Sequence, residues 1–248
     1  MISAALWKDI THFSKPVILL GDPGQLEPVG KDPNLMKDPD VVLDKIHRQA
    51  EGSGIISFAT DIRLGDYPYN KTVYYTNVEI IKNNPPSKED VMWADIVICG
   101  FNKTRHKINK WYRQLKGHDG FVNEGEQVIC LKNNMELGVF NGQILTVTGP
   151  PKTNGELFTA PCEDNGTRLN LTFLKLAFGK TIKNDKLKDT RNAVVADYGY
   201  AITCHKSQGS EWDKVVVIDQ QCPRAWEPAR WRYTAITRAA KELRYYFV

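Results

Sequence analysis

The side chains best suited to chemistry cluster in Tyr198–Ile218, read Y-G-Y-A-I-T-C-H-K-S-Q-G-S-E-W-D-K-V-V-V-I. Thr203, His205, Lys206, Ser207, Gln208 and Glu211 lie there between an apolar run and the β-branched Val215–Ile218. Such a polar loop is poor core material. It is well suited to presenting donors and a carboxylate at the strand ends of an α/β sheet, where ligands of that architecture sit; the plainer reading is a solvated loop. A second group is Gly21-Asp-Pro-Gly-Gln-Leu-Glu-Pro-Val29, a preorganised turn in which Asp22 and Gln25 are the groups able to touch a ligand. Two arginines stand near helix ends, Arg48 in His47-Arg48-Gln49 and Arg238. A lone arginine at the first position is more often a solvated helix charge.

The elements that must position these groups follow from periodicity. Residues 1–16 read as a helix with Ile2, Leu6, Trp7, Ile10 and Phe13 on one face, and Val17–Leu20 as a short buried strand. Leu43–Arg63 is helical in two pieces broken at Gly52-Ser53-Gly54, with Ser53 able to cap the second. Residues 65–90 read as an irregular connection with one strand near Thr72–Tyr75. Asp95–Gly100 is a buried strand, and Phe101–His106 a loop into a helix that Thr104 could cap. From Val122 short strands dominate, with a hairpin signal at Asn141-Gly142 and further strands near Glu156–Ala160 and Arg168–Phe173. A five-stranded barrel is the most economical arrangement. The lysines of Lys175–Lys188 are a solvated exit segment or a phosphate contact. The α/β pattern resumes at Ala193, a helix covers Trp231–Ala240, and Leu243–Val248 closes the chain as a strand.

With 248 residues, 42% hydrophobic and 25% charged, the composition is that of a globular protein of one large or two smaller domains. No apolar run is long enough to span a membrane, and the N-terminal residues do not form a signal peptide. Five scattered cysteines without a C-x-x-C pair argue against zinc or disulfides and for a reducing, cytoplasmic compartment. The net charge of +4 permits a polyanionic partner without requiring one.

Four separated blocks resemble, in order, the C-terminal part of a superfamily 1 DNA helicase of the RecD/Dda-like 1B type. Gly21–Val29 resembles motif III, Leu43–Arg63 motif IV, Ala201–Val215 motif V and Tyr233–Ala240 motif VI. Glu124–Thr148, with Asn133 and Gly138-Val-Phe-Asn-Gly142, is similar to the SH3-like barrel inserted in the second motor domain of these enzymes. The resemblance implies an α/β fold, a RecA-like P-loop NTPase second motor domain (43–121 and 190–248) carrying a small SH3-like β-barrel insert (122–189). Residues 1–42 would be the remnant of a first RecA-like domain, leaving an apolar surface exposed in the isolated chain.

The same resemblance implies roles. Gln25 would sense the γ-phosphate or position the attacking water, and Arg48 and Arg238 would be arginine fingers. Asp22, Gly209 and Glu211 would hold the nucleotide, Glu211 accepting from the ribose. Thr203, His205, Lys206 and Ser207, with Asn102 and Thr104, would contact single-stranded DNA. The implied ligands are ATP and Mg2+, and the implied partner is an N-terminal helicase half, in cis or in trans; no membrane is involved. The sequence has no G-x-x-x-x-G-K-[ST] and no D-E pair before motif III, so the isolated chain is expected not to hydrolyse ATP. In the family, motif II lies just upstream of a segment like Met1-Ile2, so an upstream half carrying it is expected. The alternatives are a non-catalytic nucleic-acid-binding module and an α/β fold with decayed sites.

Overall fold

The computed structural model describes residues 2, 4–27, 35, 38–42, 53–66, 74–181, 192–220 and 227–248. Its centre is a parallel sheet built from β1 (Val78–Lys82), β2 (Ile96–Cys99), β9 (Ala201–Thr203), β10 (Trp212–Asp219) and β11 (Ala239–Phe247), in the order β1-β11-β10-β2-β9. The unbroken apolar run of β10 is explained by burial on both faces. Val215 and Val217 pack with Phe58 and Ile62 of α2 (Gly54–Leu64) and with Trp231 and Ile236 of α6 (Pro228–Ile236). Val216 and Ile218 point the other way, to Val91 of α3 (Lys88–Trp93) and Ile108 of α4 (Asn102–Leu115). Each such fully buried side chain contributes about 1.5–3 kcal/mol.

Because the pairings are parallel, Cys99, Thr203, Asp219 and Phe247 end their strands along one edge of this sheet, and Trp212 and Ala239 begin theirs along the other. The chain leaving β9 must therefore cross to the opposite edge before β10 can start. It does so through the short helix α5 (Cys204–Ser207) and the turn that follows.

A second sheet is antiparallel and holds β3 (Gln127–Cys130), β4 (Ile144–Val147), β5 (Lys152–Asn154), β6 (Leu157–Asp164), β7 (Thr167–Leu174) and β8 (Ala196–Tyr198). Its core includes Val128, Leu145, Phe158 and Phe173. Val194 bridges Phe173 in parallel, and two residues later Ala196 pairs with Cys130, so this segment touches both β7 and β3. The tight two-residue hairpin is at Asn165-Gly166, whose φ values of 47° and 83° suit a type I′ turn between β6 and β7. Asn141-Gly142 instead ends a long connection between β3 and β4.

α4 fastens the two sheets together. Its residues 105, 109 and 113, spaced four apart on one face, are all polar and all bonded to the second sheet or its approach. Arg105 pairs with buried Asp197 of β8 at 2.9 Å. Asn109 donates to the carbonyls of Tyr198 (3.0 Å) and Ala201 (3.1 Å) and accepts from the Ala201 amide (2.7 Å), fixing the crossing from β8 to β9. Arg113 makes a two-pronged pair with Glu126, at 2.7 and 3.0 Å, and Glu126 is fully buried.

Several expectations need correction. Val17–Leu20 is not a strand: Ile18 is 89% and Leu20 90% exposed, because no described strand lies alongside to pair with it. Helix α1 (Ala4–His12) buries none of its residues, in keeping with the apolar surface expected to be exposed there. The strand expected near Thr72–Tyr75 is Val78–Lys82; Tyr75 makes only an isolated bridge, and residues 72 and 73 lie outside the described residues. Thr104 does not cap α4, which starts at Asn102 after Phe101 and so contains Thr104. Ser53 occupies the N-cap position of α2 without a side-chain bond to the helix amides. The parallel sheet is re-entered at Ala201 rather than Ala193, since Ala196–Tyr198 pairs with β3. The last helix stops at Ile236, because the Arg238 carbonyl already accepts from the Trp212 amide at 2.9 Å and starts β11.

Candidate functional site

At the edge where β10 and β11 begin, three segments far apart in sequence converge. In the first, Asp22 organises its own turn: its carboxylate accepts from the Gly24 amide at 2.8 Å and from the Gln25 side-chain amide at 3.2 Å. From α6, the Tyr233 hydroxyl donates to the same carboxylate at 3.1 Å, and Thr234 accepts from the Leu26 amide at 2.8 Å. Burial and the neighbouring Asp22 push the Tyr233 phenol up to about 12, so it stays a neutral donor. From the crossing turn, the Gln208 side chain donates to the Leu26 carbonyl at 2.9 Å.

Arg238 closes this arrangement. It is 1% exposed and donates to the carbonyls of Thr234 (3.0 Å) and Ser210 (2.9 Å) and to the Thr237 hydroxyl (3.0 Å). It therefore ties α6 to the turn that carries Gly209 and exposed Glu211. Gly209 has φ +88°, a left-handed conformation that a side chain would strain. Asp22, Gln25 and Arg238 thus belong to one bonded assembly, and Gly209 and Glu211 flank the Ser210 carbonyl that Arg238 holds. Arg48, with His47 and Gln49, lies outside the described residues.

The remaining candidates lie towards the opposite edge. Thr203 pairs with Cys99 across β9 and β2, and Asn102 and Thr104 occupy the first turn of the helix that follows β2. Helix N-terminal amides of this kind favour anions. His205 and Lys206, in α5, line a cavity of about 810 Å3 together with Gln208, Gly209 and Ser210 of the crossing turn, Phe140 and Asn141 of the β3–β4 connection, Asp164 of β6 and Thr167 of β7. Lys206 Nζ bonds the Asn141 side-chain oxygen and reaches the Leu131 carbonyl at 3.5 Å. Burial lowers the pKa of both His205 and Lys206, and for Lys206 the Arg105 guanidinium adds to the shift. Ser207 is fully buried, and its hydroxyl donates to the Cys204 carbonyl at 2.8 Å.

Reading residue types alone misses Tyr233, Thr234 and Gln208 as partners of the Asp22 turn. Tyr233 looks like a core residue of its helix, and nothing in the local pattern marks the other two. Of the lysine-rich segment, Lys175 is held by the Gly155 carbonyl at 2.6 Å, and Lys183, Lys186 and Lys188 lie outside the described residues. Among the described residues no group of three or more His, Cys, Asp or Glu side chains converges. No described helix is long and apolar enough to cross a membrane.

Residues 198–246, which span the crossing turn, β10, α6 and most of β11, match the family model described as UvrD-like helicase C-terminal domain. The fold is superfamily 1 DNA-helicase-like. The Pif1 helicase from Candida albicans superposes with a TM-score of 0.56 at 16% identity, over 92% of this chain and 62% of that one. A Bacteroides Pif1 in complex with ADP-AlF3 and ssDNA gives 0.53 at 20% identity, over 91% and 60%. In sequence, the ATP-dependent RecD2 DNA helicase of Deinococcus radiodurans is 24% identical over 90% of this chain, and the conjugal transfer protein TraA of Agrobacterium fabrum is 22% identical over 96%. The chain spans only 31% and 22% of the lengths of those two relatives.

Proposed function

We propose that this chain is the C-terminal motor part of an ATP-dependent 5′→3′ DNA helicase of the 1B type. Its parallel sheet would be the second RecA-like domain and its antiparallel sheet a small SH3-like barrel. The contacts of the Val194–Tyr198 segment to both β7 and β3 support closure of that barrel. The observation that carries the reading is the convergence of the Asp22–Leu26 turn, the Gln208–Glu211 turn and α6 on one sheet edge. Those segments are the ones that resemble motifs III, V and VI.

In this reading Asp22 holds the Gln25 amide in the orientation it needs to position water at the γ-phosphate. Arg238 would exchange one of its present acceptors for phosphate oxygen, and so couple nucleotide binding to the Ser210 carbonyl and the crossing turn. Glu211 would accept from the ribose, with Gly209 giving the backbone close approach. Arg48 is proposed as the second finger on family resemblance alone. Thr203, His205, Lys206, Asn102 and Thr104 would grip the single strand, while Ser207 shapes the turn that carries them. ATP with Mg2+ would be held jointly with an N-terminal helicase half, supplied in cis or in trans. The exposed Phe13, Ile18 and Leu20 are apolar surface suited to that contact.

The cavity lined by Lys206 and the second sheet favours one other reading, a non-catalytic single-strand-binding module. Single-strand-stimulated ATP hydrolysis separates the two. We expect no turnover from the chain alone, and turnover when it is combined with a helicase half carrying G-x-x-x-x-G-K-[ST] and the D-E pair. Turnover by the chain alone would show that its nucleotide site is complete without that half. A folded pair that binds DNA without turnover would leave the binding module standing.

A further inference from the structure

We propose that Phe140 is a stacking platform for a nucleobase, presented into the cavity that also holds His205 and Lys206. The inference rests on the single-strand reading of that cavity and names the part of the ligand it takes. Phe140 is 50% exposed, at a loop position where a polar side chain would be expected.

The loop that carries Phe140 is held rigid by its own side chains. Asn134 and Val139 exchange backbone bonds at 2.8 and 3.1 Å, and Asn134 also accepts from the Leu137 amide at 3.1 Å. The amide of Phe140 donates to the Gln143 side-chain oxygen at 2.8 Å, and that of Asn141 to the Asn133 side-chain oxygen at 2.7 Å. The Gln143 side-chain nitrogen then donates to Asp164 at 2.7 Å, anchoring the loop to β6. The backbone that carries this half-exposed ring is thus held in place before any ligand arrives, which lowers the ordering cost of binding.

The surroundings select the ligand class. A lysine and a histidine share the cavity with the ring, and amide, hydroxyl and carboxylate side chains, glycines and Leu169 line the rest of it. A flat π-face beside cationic groups fits a base with its phosphate, and stacking of that kind tolerates any sequence. A purely apolar ligand would leave these polar groups unmatched.

The test uses the purified full chain and two fluorescent strands, an oligothymidylate and the same strand with every base replaced by an abasic residue. Phe140→Ala should bind the thymidylate about tenfold more weakly, in line with the worth of a single stacked base, and bind the abasic strand as the wild type does. Phe140→Trp should retain thymidylate binding. Lys206→Ala should weaken both strands alike, because it loses a phosphate contact. If Lys206→Ala weakens binding and Phe140→Ala does not, stacking is overturned and the single-strand reading survives. If Phe140→Ala weakens both strands equally, the ring only shapes the loop and the proposal fails. If neither substitution matters, the single-strand reading of the cavity falls as well.

Discussion

The two edges of the parallel sheet are built in opposite ways. Where β10 and β11 begin, the polar groups are already satisfied by one another: Asp22 by Gly24, Gln25 and Tyr233, and Arg238 by Thr234, Thr237 and Ser210. Where β2 and β9 end, Asn102 is exposed, and His205 and Lys206 face a cavity shared with another sheet. The first edge is preorganised; the second is open. Yet one short crossing, from Cys204 to Glu211, serves both. Parallel strands impose that crossing, since their ends and beginnings lie on opposite edges. A nucleotide that disturbed the Arg238–Ser210 bond would therefore act on a segment that itself lines the proposed DNA cavity, through His205, Lys206 and Ser210.

The comparison is broken most sharply at Arg238. In the assembled motor, Arg238→Lys should reduce ATP turnover by about 10³-fold or more, the usual worth of an arginine on transferring phosphoryl charge. Single-strand affinity without nucleotide should stay near the wild-type value. Lysine cannot bridge the same acceptors, so a thermal melt must show that the fold is retained. Should affinity fall as far as turnover, the two edges are not separable and the distinction drawn between them is wrong.

A smaller effect is expected where α4 joins the sheets. Arg113→Met leaves Glu126 buried without its guanidinium, which should cost about 3–5 kcal/mol of stability in a urea titration. Both edges should suffer, because the second sheet that walls the cavity is held through this helix. An unchanged urea midpoint would mean that the Arg105, Asn109 and Arg113 face is not what secures that sheet.

Much of the fold was legible because both faces of the central sheet are buried: Val215–Ile218 and Ile96–Cys99 can be little else. Val78–Lys82 was harder. It is an edge strand of mixed composition, and only its parallel register with Leu243–Phe247 defines it. Val17–Leu20 misled in the other direction, since a β-branched apolar run marks a strand only if something pairs with it. In the site, Asp22, Gln25 and Arg238 stood out by residue type and by resemblance. Their partners did not, because the bonds that matter join residues 182 and 208 positions apart, Gln208 to Leu26 and Leu26 to Thr234. Ser207 shows the converse: a hydroxyl in the right stretch can still be used up internally.

The smallest expected effect concerns His205. Burial lowers its pKa below the ordinary 6.5, so the folded chain prefers the neutral imidazole. A folded pKa below the unfolded one means a contribution that is present above the unfolded value and lost as pH falls towards and through the folded one. Acidification below about pH 6.5 should therefore destabilise the wild type slightly more than His205→Gln, read as the shift in urea midpoint between pH values. Near neutral pH the substitution should change stability by no more than about 0.5 kcal/mol. Phosphates of a bound strand would reverse the preference and favour the imidazolium. Single-strand affinity should then rise with acid in the wild type and rise less in His205→Gln. Equal rises in both proteins would place the acid response elsewhere and remove His205 from the open edge.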